Sequence, residues 1–192
     1  MNTYFYLARH GESEWNLKHR LQGQLDSELT DRGIIQARVL GQKLQNTGID
    51  LIVSSPLERA RQTANICQKF IKSDSVENKQ LVERHFGDWQ GKYYSSLFKE
   101  PGYSDIFHRV TEQAPPKGES GLDCQARMHQ ALKQIAANYK SRRLLVICHG
   151  EAMRCFLSQF NHNASGDAYS QFDNASIAPL NYCHHTASFS QA

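Results

Sequence analysis

The sequence has no long apolar run. Its longest clean apolar stretch, Leu144 to Cys148, is far shorter than the about 20 residues that a membrane-spanning helix needs. The first seven residues carry neither a basic segment nor a small-residue cleavage site, which a signal peptide would have. We therefore expect a cytoplasmic protein with no membrane partner.

Cysteine is scarce, and the five cysteines include no C-x-x-C pair. An odd number of cysteines argues against a disulfide framework, and their spacing argues against a zinc cage. The sequence also lacks a glycine-rich phosphate loop of the Walker type and a cluster of aspartates. We therefore expect reduced thiols, no metal ion and no cofactor.

Blocks of like charge are also absent. The 22 basic and 19 acidic residues give a formal net charge of +3 and are scattered along the chain. Proteins that bind nucleic acids usually concentrate their basic residues, so we expect no nucleic-acid partner. The hydrophobic fraction of 40% in 192 residues is enough for one core, and we expect a single domain over residues 1–192. Nothing in the sequence bears on the oligomeric state.

Short apolar stretches predict three buried strands, at residues 3–8, Leu51 to Ser54 and Leu144 to Cys148. Helical apolar spacing follows each of them. Alternation of this kind predicts an α/β fold of three layers, with a mostly parallel sheet between two layers of helices. The tail from Gln171 onward adds weaker apolar positions, for which we expect edge strands.

Capping residues indicate where the helices begin. Thr30 is a good N-cap for a helix that ends before Gly48. The run from Ser55 to Glu58 is typical of a capping box with proline at the first helical position. Two more helices are predicted, from Gly121 to about residue 139 and from Gly150 to about residue 160.

The segment from about residue 92 to 118 has no regular pattern, because proline and glycine interrupt it. We expect short helical turns and loops that form a small lid over one edge of the sheet. Its polar and aromatic residues are candidates for selecting the substrate. They are Lys92, Tyr93, Tyr94, Lys99 and His108.

Two of the predicted strands end in a histidine followed by a glycine. The first strand leads into Arg9 and His10, and the third leads into His149 and Gly150. Ligands bind beyond the carboxyl ends of the strands in open α/β sheets, so these side chains would meet there if the strands are neighbours. Arg59 would join them from the helix after the second strand. Two imidazoles and two guanidiniums predict a site for a dianionic phosphoryl group.

A neutral imidazole is a competent nucleophile near neutral pH, and nearby guanidiniums would lower its pKa and keep it unprotonated. The departing alcohol then needs a proton. Glu83, in a segment with several aromatic residues, is the candidate general acid, and Glu12 is its rival.

The run from Arg9 to Asn16 resembles the opening motif of the histidine phosphatase superfamily, the phosphoglycerate-mutase-like enzymes. Similar motifs follow in the family's order over nearly the whole chain: Gln22-Gly23, Asp26, Leu29 to Gly33, Ser54 to Ala64, Glu83 to Gly91, Gly118 to Ser120, His149-Gly150 and Asp173 to Ile177. Separated motifs that follow one another in the family's order are together highly specific. One departure is Cys148, where relatives usually carry serine or threonine.

The resemblance implies a role for each matching residue. His10 would be the nucleophile that becomes phosphohistidine, and Glu83 would protonate the leaving oxygen and then activate water. The phosphoryl oxygens would be bound by Arg9, Arg59, His149, Asn16 and Gln22, with Gly23 and Gly150 beside them. The fold implied is that of phosphoglycerate mutases.

A second motif competes with this interpretation. Cys148 to Arg154 fits the C-x5-R loop of cysteine-dependent phosphatases, in which a thiolate attacks phosphorus. A pattern with two fixed positions arises easily by chance, and it leaves the His10, Arg59 and Glu83 motifs unexplained. Arg61, Arg127 and Arg154 are expected to be solvated or structural, Trp15 and Trp89 to be packing residues, and His184 and His185 not to bind metal.

Several activities use the same residues. A mutase must keep its phosphohistidine away from water, which needs a substantial lid. The segment between Gly91 and Gly118 is short, so the chain resembles the phosphatase branch, which includes broad-specificity and alpha-ribazole phosphatases. We expect a small phosphomonoester as substrate. The alternatives are a phosphoglycerate mutase, a protein phosphohistidine or phosphotyrosine phosphatase, and a phosphate-binding module without turnover.

Overall fold

The computed structural model describes residues 1–160 and 167–191. Its centre is a six-stranded sheet in the order β3-β2-β4-β1-β5-β6. The strands are β1 (Asn2–Arg9), β2 (Leu51–Ser54), β3 (Asp74–Glu77), β4 (Arg143–Cys148), β5 (Ile177–Cys183) and β6 (Ser188–Gln191). The pairs from β3 to β1 are parallel, and β5 and β6 are antiparallel to their neighbours. The expected mostly parallel sheet is confirmed.

The helices connect the strands and cover the sheet. They are α1 (Glu14–Leu17), α2 (Asp31–Leu44), α3 (Glu58–Ile71), α4 (Tyr94–Leu97), α5 (Tyr103–His108), α6 (Gly121–Asn138), α7 (Gly150–Leu157) and α8 (Ala168–Gln171). Short 3-10 turns lie at Lys79–Leu81 and Gly87–Trp89. Within the described ranges, no helix is both long and apolar enough to cross a membrane.

Alternating side chains of the central strands fill two hydrophobic cores, one on each face of the sheet. On one face Val146 of β4 packs in a cluster with Met128 of α6 and Met153 of α7. On the other, Ile147 packs in a cluster with residues of α2 and α3. Strands buried on both faces explain the continuous apolar run at residues 144–148. The three-layer α/β/α architecture is confirmed.

Three details differ from the sequence-based expectations at strands and helix ends. Strand β3 was not expected, because Val76 is its one strongly apolar residue and it lies at the sheet edge. Strand β5 is not an edge strand, since it pairs with both β1 and β6. Helix α7 ends at Leu157, a few residues before the expected end near residue 160, whereas α2 ends at Leu44, before Gly48 as expected.

The expected capping box at Ser55 is wrong, because α3 begins at Glu58 with Leu57 as N-cap. The backbone amides of Glu58 and Arg59 donate instead to the carboxylate of Asp26, which comes from a distant loop. A carboxylate at this position satisfies free amides of the first helical turn. Ser55 is thereby available for a different contact in the site.

The segment expected to form a lid contains α4 and α5 with their loops. Its backbone is bonded to loops at the carboxyl ends of the strands: Leu21 N donates to Lys92 O, and Asp88 N donates to Pro116 O. Its aromatic residues form a third cluster with Leu21, Phe86 and Trp89. The lid therefore forms one wall of the site.

Candidate active site

The sheet order places the two strand-end histidines side by side. Strand β1 pairs with β4 so that Arg9 is opposite Cys148, and the next residues are His10 and His149. The chain passes from β1 to β2 on one side and from β4 to β5 on the other, so these strands lie at a topological switch point. The imidazole ring centroids of His10 and His149 are 5.2 Å apart.

The hydrogen bonds of His10 fix which ring nitrogen is unprotonated. Its Nδ1 lies 2.7 Å from the carbonyl oxygen of Gly11, which can only accept, so Nδ1 carries the hydrogen. Nε2 then presents its lone pair, and the Nε of Arg59 donates to it at 3.3 Å. Burial holds the pKa of His10 well below its usual 6.5, and the charges of Arg59 and Arg9 lower it further.

Arg59 is held in place by neighbouring carbonyls and one carboxylate. Its terminal nitrogens donate to the carbonyls of Leu25 and Gly23 at 2.8 Å, and to Asp26 Oδ1 at 2.9 Å. Its side chain is only 1% exposed. This fixed guanidinium places a positive charge beside Nε2 of His10.

Arg9 brings a second guanidinium to the other side of the site. Its Nη1 donates to the carbonyl of Phe172 at 2.6 Å. A Cβ added to Gly150 would lie 3.2 Å from Arg9 Nε and 3.1 Å from Ala168, so glycine makes room for this arginine. The sequence expectation that Arg9, Arg59 and Gly150 converge is confirmed by their common cavity.

His149 lies beneath the site and is completely buried. Its Nε2 is 2.7 Å from the hydroxyl of Ser55, which also accepts a hydrogen bond from Leu57 N. The Nδ1 of His149 has no hydrogen-bond partner among the residues described. Burial lowers the pKa of His149 well below 6.5, followed by the charge of Arg59.

Asn16 of α1, together with Gln22 and Gly23 of the loop after it, lines the same cavity. The oxygen of the Asn16 side chain accepts from Ser13 N and Oγ at 3.1 Å, which leaves its amide nitrogen as the donor. Gln22 Oε1 accepts from Ser27 Oγ, again leaving the NH₂ group as donor. Gly23 has a positive φ of 54°, and a side chain there would collide with Gln90.

Glu83 lies at the amino end of α7. Its Oε1 accepts from the amides of Arg84 and Ala152 at 2.8 Å, and its Oε2 from Glu151 N at 3.2 Å. Burial raises the pKa of its carboxyl above 4.5, and the charge of Glu151 raises it further. The amides and Arg59 oppose this rise without cancelling it. A carboxyl that stays protonated to a higher pH is suited to act as a general acid.

These groups surround a cavity of about 320 Å³ that is open to solvent. It is lined by Arg9, His10, Asn16, Leu21, Gln22, Gly23, Arg59, Glu83, Phe86, Tyr94, Gly150, Glu151 and Ala168. Every catalytic and phosphoryl-binding residue expected from the sequence lines it except His149, which is buried next to it. Of the expected substrate-selecting residues Tyr94 lines the cavity, and Lys92, Tyr93, Lys99 and His108 do not. The catalytic and binding roles of these residues remain predictions.

The rival groups are engaged elsewhere. Cys148 is fully buried, and burial raises the pKa of its thiol strongly. Arg154, its partner in the C-x5-R motif, is bound to the Glu151 carboxylate at 2.8 Å. Glu12 accepts from the Thr30 hydroxyl at 2.9 Å. The described ranges contain no cluster of three or more His, Cys, Asp or Glu side chains suited to a metal ion.

Other arginines and histidines that the sequence singled out have structural contacts. Arg127 donates to the carbonyl of Val82 at 2.9 Å and pairs with Glu119 at 2.8 Å. The buried Arg154 is structural rather than solvated, while Arg61 pairs with Glu58 at the surface. His184 Nε2 lies 2.8 Å from the Thr3 hydroxyl.

The sequence did not reveal four residues that support the site: Asp26, Ser55, Glu151 and Asn174. Asn174 Nδ2 donates to the backbone oxygen of His10 at 3.1 Å. Asp26, Ser55 and Asn174 fell within the family motifs, which was the available signal. Glu151 gave none, because its role depends on contacts with residues far away in the chain.

Comparison with known proteins gives a consistent result. Residues 5–191 match the histidine phosphatase superfamily (branch 1). A probable phosphoglycerate mutase, GpmB of Proteus mirabilis, is 35% identical over 155 residues, which cover 80% of this chain and 72% of that protein. The corresponding Yersinia pestis protein is 38% identical over the same shares of each chain.

Solved structures are similar over the whole chain. YhfR of Bacillus stearothermophilus has a TM-score of 0.88 at 28% identity, covering 99% of this chain and 95% of that one. A mycobacterial glucosyl-3-phosphoglycerate phosphatase, solved with VO3, has a TM-score of 0.83 at 27% identity, with 98% and 96% covered. A phosphoserine phosphatase mutant of Entamoeba histolytica, solved with phosphoserine, has 0.81 at 26%, with 99% and 95% covered.

Proposed function

The chain belongs to the histidine phosphatase superfamily, and from that membership we propose that it hydrolyses a small phosphomonoester through a phosphohistidine at His10. The observation that carries this proposal is the orientation of His10. Its Nδ1 is fixed by the Gly11 carbonyl, and its Nε2 lies beside the Arg59 guanidinium at the base of the cavity. The nucleophilic nitrogen of His10 and the positive charge of Arg59, which can bind phosphoryl oxygens, thus lie next to each other.

In the first step, His10 Nε2 attacks the phosphorus atom, and the bond from phosphorus to the ester oxygen breaks. Arg9 and Arg59 neutralise the phosphoryl oxygens, and the amide nitrogens of Asn16 and Gln22 donate hydrogen bonds to them. Phosphoryl transfer depends mainly on such placement and charge compensation. His149 contributes its Nδ1–H from beneath, with its ring oriented by Ser55.

The leaving alcohol takes its proton from Glu83. The proton lies on Oε2, which accepts the weaker of the amide hydrogen bonds, at 3.2 Å against 2.8 Å at Oε1. In the second step the Glu83 carboxylate accepts a proton from water while the water oxygen attacks phosphorus. The N–P bond then breaks, and inorganic phosphate and neutral His10 are formed. These two reaction steps require no bound metal ion.

The lining of the cavity favours a small substrate. Arginine, histidine and amide side chains that suit a phosphoryl group share it with only a few apolar residues. Leu21, Phe86 and Tyr94 also line the cavity and would contact the alcohol part of the ester. Structural relatives named as phosphatases of glucosyl-3-phosphoglycerate and phosphoserine are consistent with a phosphorylated metabolite.

Phosphoglycerate mutase activity is the second candidate, because the curated relatives at 34–38% identity carry that name as a probable activity. A mutase must protect its phosphohistidine from water. Here the lid has only two short helices, α4 and α5, of four and six residues. We therefore favour hydrolysis over transfer to a second hydroxyl.

The test is a comparison of hydrolysis and transfer. We expect wild-type protein to hydrolyse p-nitrophenyl phosphate and members of a panel of metabolite phosphomonoesters without added metal, and we expect His10→Asn to do neither. Phosphoglycerate isomerisation primed with bisphosphoglycerate, faster than any hydrolysis, would establish the mutase instead. Preferred cleavage of phosphohistidine or phosphotyrosine peptides would establish a protein phosphatase, and phosphate binding without turnover would establish a binding module.

We also propose that the reaction takes place in the cytoplasm, with no nucleic acid or membrane involved. All five cysteines are free thiols, and four of them are buried. This is the thiol state that a reducing compartment maintains.

A further inference from the structure

A buried carboxylate, Glu151, lies beside the proposed acid and has no part in the reaction described above. It is the second residue of α7 and its side chain is 5% exposed. Arg154, one turn along the helix, donates two hydrogen bonds to it, of 2.8 Å to Oε1 and 2.9 Å to Oε2. The amide of Ala168, on the cavity wall, also donates to Oε1 at 3.2 Å.

A second buried arginine connects Glu151 to the lid. Arg84 is 0% exposed, and its Nη1 lies 3.5 Å from Glu151 Oε2. The same guanidinium donates to the carbonyls of Ile106 at 2.7 Å and Gln113 at 3.3 Å. Arg154 Nη2 also reaches Ile106 O, at 3.5 Å. The carboxylate thus balances two guanidiniums that hold the end of α5 and the loop after it.

The same cluster is bonded directly to Glu83. The backbone amide of Glu151 donates to Glu83 Oε2, and that of Arg84 donates to Glu83 Oε1. Each residue therefore holds the acid with its backbone and the Arg84–Glu151–Arg154 cluster with its side chain. A displacement of the cluster would move both donors to the Glu83 carboxyl.

Such a cluster needs a reason beyond stability. Three buried charges are costly to desolvate, and well-packed apolar residues often stabilise a fold as well or better. Here the cluster lies where the lid, the start of α7 and the segment that carries Glu83 contact one another. Its geometry is suited to fixing these three parts relative to one another.

We propose that Glu151 is a positioning residue, which acts through Arg84 and Arg154 to hold the Glu83 carboxyl and the lid in register for proton delivery to the leaving oxygen. The inference rests on the proposed function, because it assumes that Glu83 is the acid. It adds a residue that affects the steps in which Glu83 gives or takes a proton, and in kcat/KM this is the step in which a proton reaches the alcohol.

Charge reinforces this geometry. The groups that face Glu83 are Glu151 of α7, Arg59 of α3, Arg127 of α6, Cys148 of β4 and the adjacent Arg84. After burial, the charge of Glu151 is the main cause that raises the pKa of Glu83, and Arg59 lowers it. Removing the charge of Glu151 therefore lowers the pKa of Glu83, so the acid loses its proton at a lower pH.

The experiment compares two esters in Glu151→Gln. An alkyl phosphate needs a proton on its leaving oxygen, whereas p-nitrophenolate leaves without one. Since general acids contribute about 10²–10⁴-fold, we expect kcat/KM for the alkyl ester to fall about 10- to 100-fold and that for p-nitrophenyl phosphate less than about 3-fold. The alkaline limb of the alkyl-ester pH profile should move to lower pH.

Glu12→Gln is the matched control, because Glu12 is also a largely buried carboxylate, with 13% side-chain exposure, yet its side chain contacts Thr30 and Arg32 rather than Glu83 or the lid. We expect Glu12→Gln to leave unchanged the ratio of kcat/KM for the alkyl ester to kcat/KM for p-nitrophenyl phosphate. Glu151→Asp retains the charge but shortens the side chain. We expect Glu151→Asp to lower this ratio without moving the alkaline limb of the alkyl-ester pH profile. This variant replaces Glu151→Gln in the test if Glu151→Gln does not fold.

The outcomes separate the inference from the function beneath it. Equal losses for both esters in the Glu151 variants, or no loss, would overturn the positioning role while wild-type hydrolysis and the His10 dependence stand. Absence of hydrolysis in the wild type, or full activity in His10→Asn, would overturn the proposed function itself.

Discussion

The carboxylate of Asp26 binds the Arg59 guanidinium at 2.9 Å and, with its two oxygens, also accepts from the first amides of α3. One residue thereby fixes the start of a helix and the charge beside the nucleophile. The loop that carries Asp26 also supplies the carbonyls of Gly23 and Leu25 to the same guanidinium. Arg59 is consequently positioned from outside its own helix.

This arrangement predicts a separation of activity from stability in Asp26→Asn. Asparagine still caps helices well, so we expect the free energy of unfolding to fall by no more than about 1 kcal/mol. The charged partner of Arg59 is lost, and we expect kcat/KM for p-nitrophenyl phosphate to fall about tenfold. Asp31→Asn, which changes the first-turn acid of α2, is the control and should retain full activity. Equal activity in both variants would contradict the role of Asp26.

The pH dependence of the rate follows from Glu83. Its carboxyl must be protonated in the first step, and burial and Glu151 raise its pKa above 4.5. As pH rises through this pKa, we expect kcat/KM for an alkyl ester to fall about tenfold per pH unit. The same limb should be missing for p-nitrophenyl phosphate, measured in the same buffers. An identical limb for both esters would assign the ionisation to another group.

The two buried histidines predict a loss of stability in acid. Burial lowers both pKa values below 6.5, so the folded protein keeps His10 and His149 neutral while the unfolded chain takes up protons near pH 6.5. The free energy of unfolding should therefore fall as pH drops below 6.5, by up to about 1.4 kcal/mol per pH unit for each histidine. Glu83 acts in the opposite direction, but it is one group against two.

Urea unfolding at about pH 7.5 and about pH 5.5 measures this effect. His149→Gln removes one of the two groups, so its stability should change less between the two pH values than that of the wild type. A variant with the full wild-type pH dependence would show that His149 is not the source.

The thiol of Cys148 is predicted to be dispensable. It is fully buried and its pKa is raised, so it is not a thiolate at neutral pH. We expect Cys148→Ser to retain kcat/KM within about threefold, with a cost of about 1–2 kcal/mol for placing a hydroxyl in the core. Inactivity of a variant that still melts cooperatively would revive the cysteine mechanism.

The sequence predicted most of the elements that position the site, because their signals are local. The apolar run at 144–148 and the Thr30 cap were sufficient to locate β4 and α2. The repeated His-Gly at two strand ends indicated which residues would converge. That expectation needed only the rule that parallel strands end at the same edge.

What the sequence did not reveal depends on distant contacts. The start of α3 was misplaced because its cap, Asp26, lies 32 residues before Glu58. Strand β3 lacks an apolar pattern, since its neighbour on one side is solvent. The cluster around Glu151 combines Arg84 and Arg154 from separate segments, and no spacing rule connects them.

The most direct test of the central claim is chemical trapping of the phosphoenzyme. The protein is mixed with a ³²P-labelled phosphomonoester and the reaction is quenched rapidly. The account predicts a label on the protein that is stable in base and labile in acid. The label should lie on the peptide that contains His10 and should be absent in His10→Asn. An acid-stable label, a label on Cys148, or undiminished turnover in His10→Asn would contradict it.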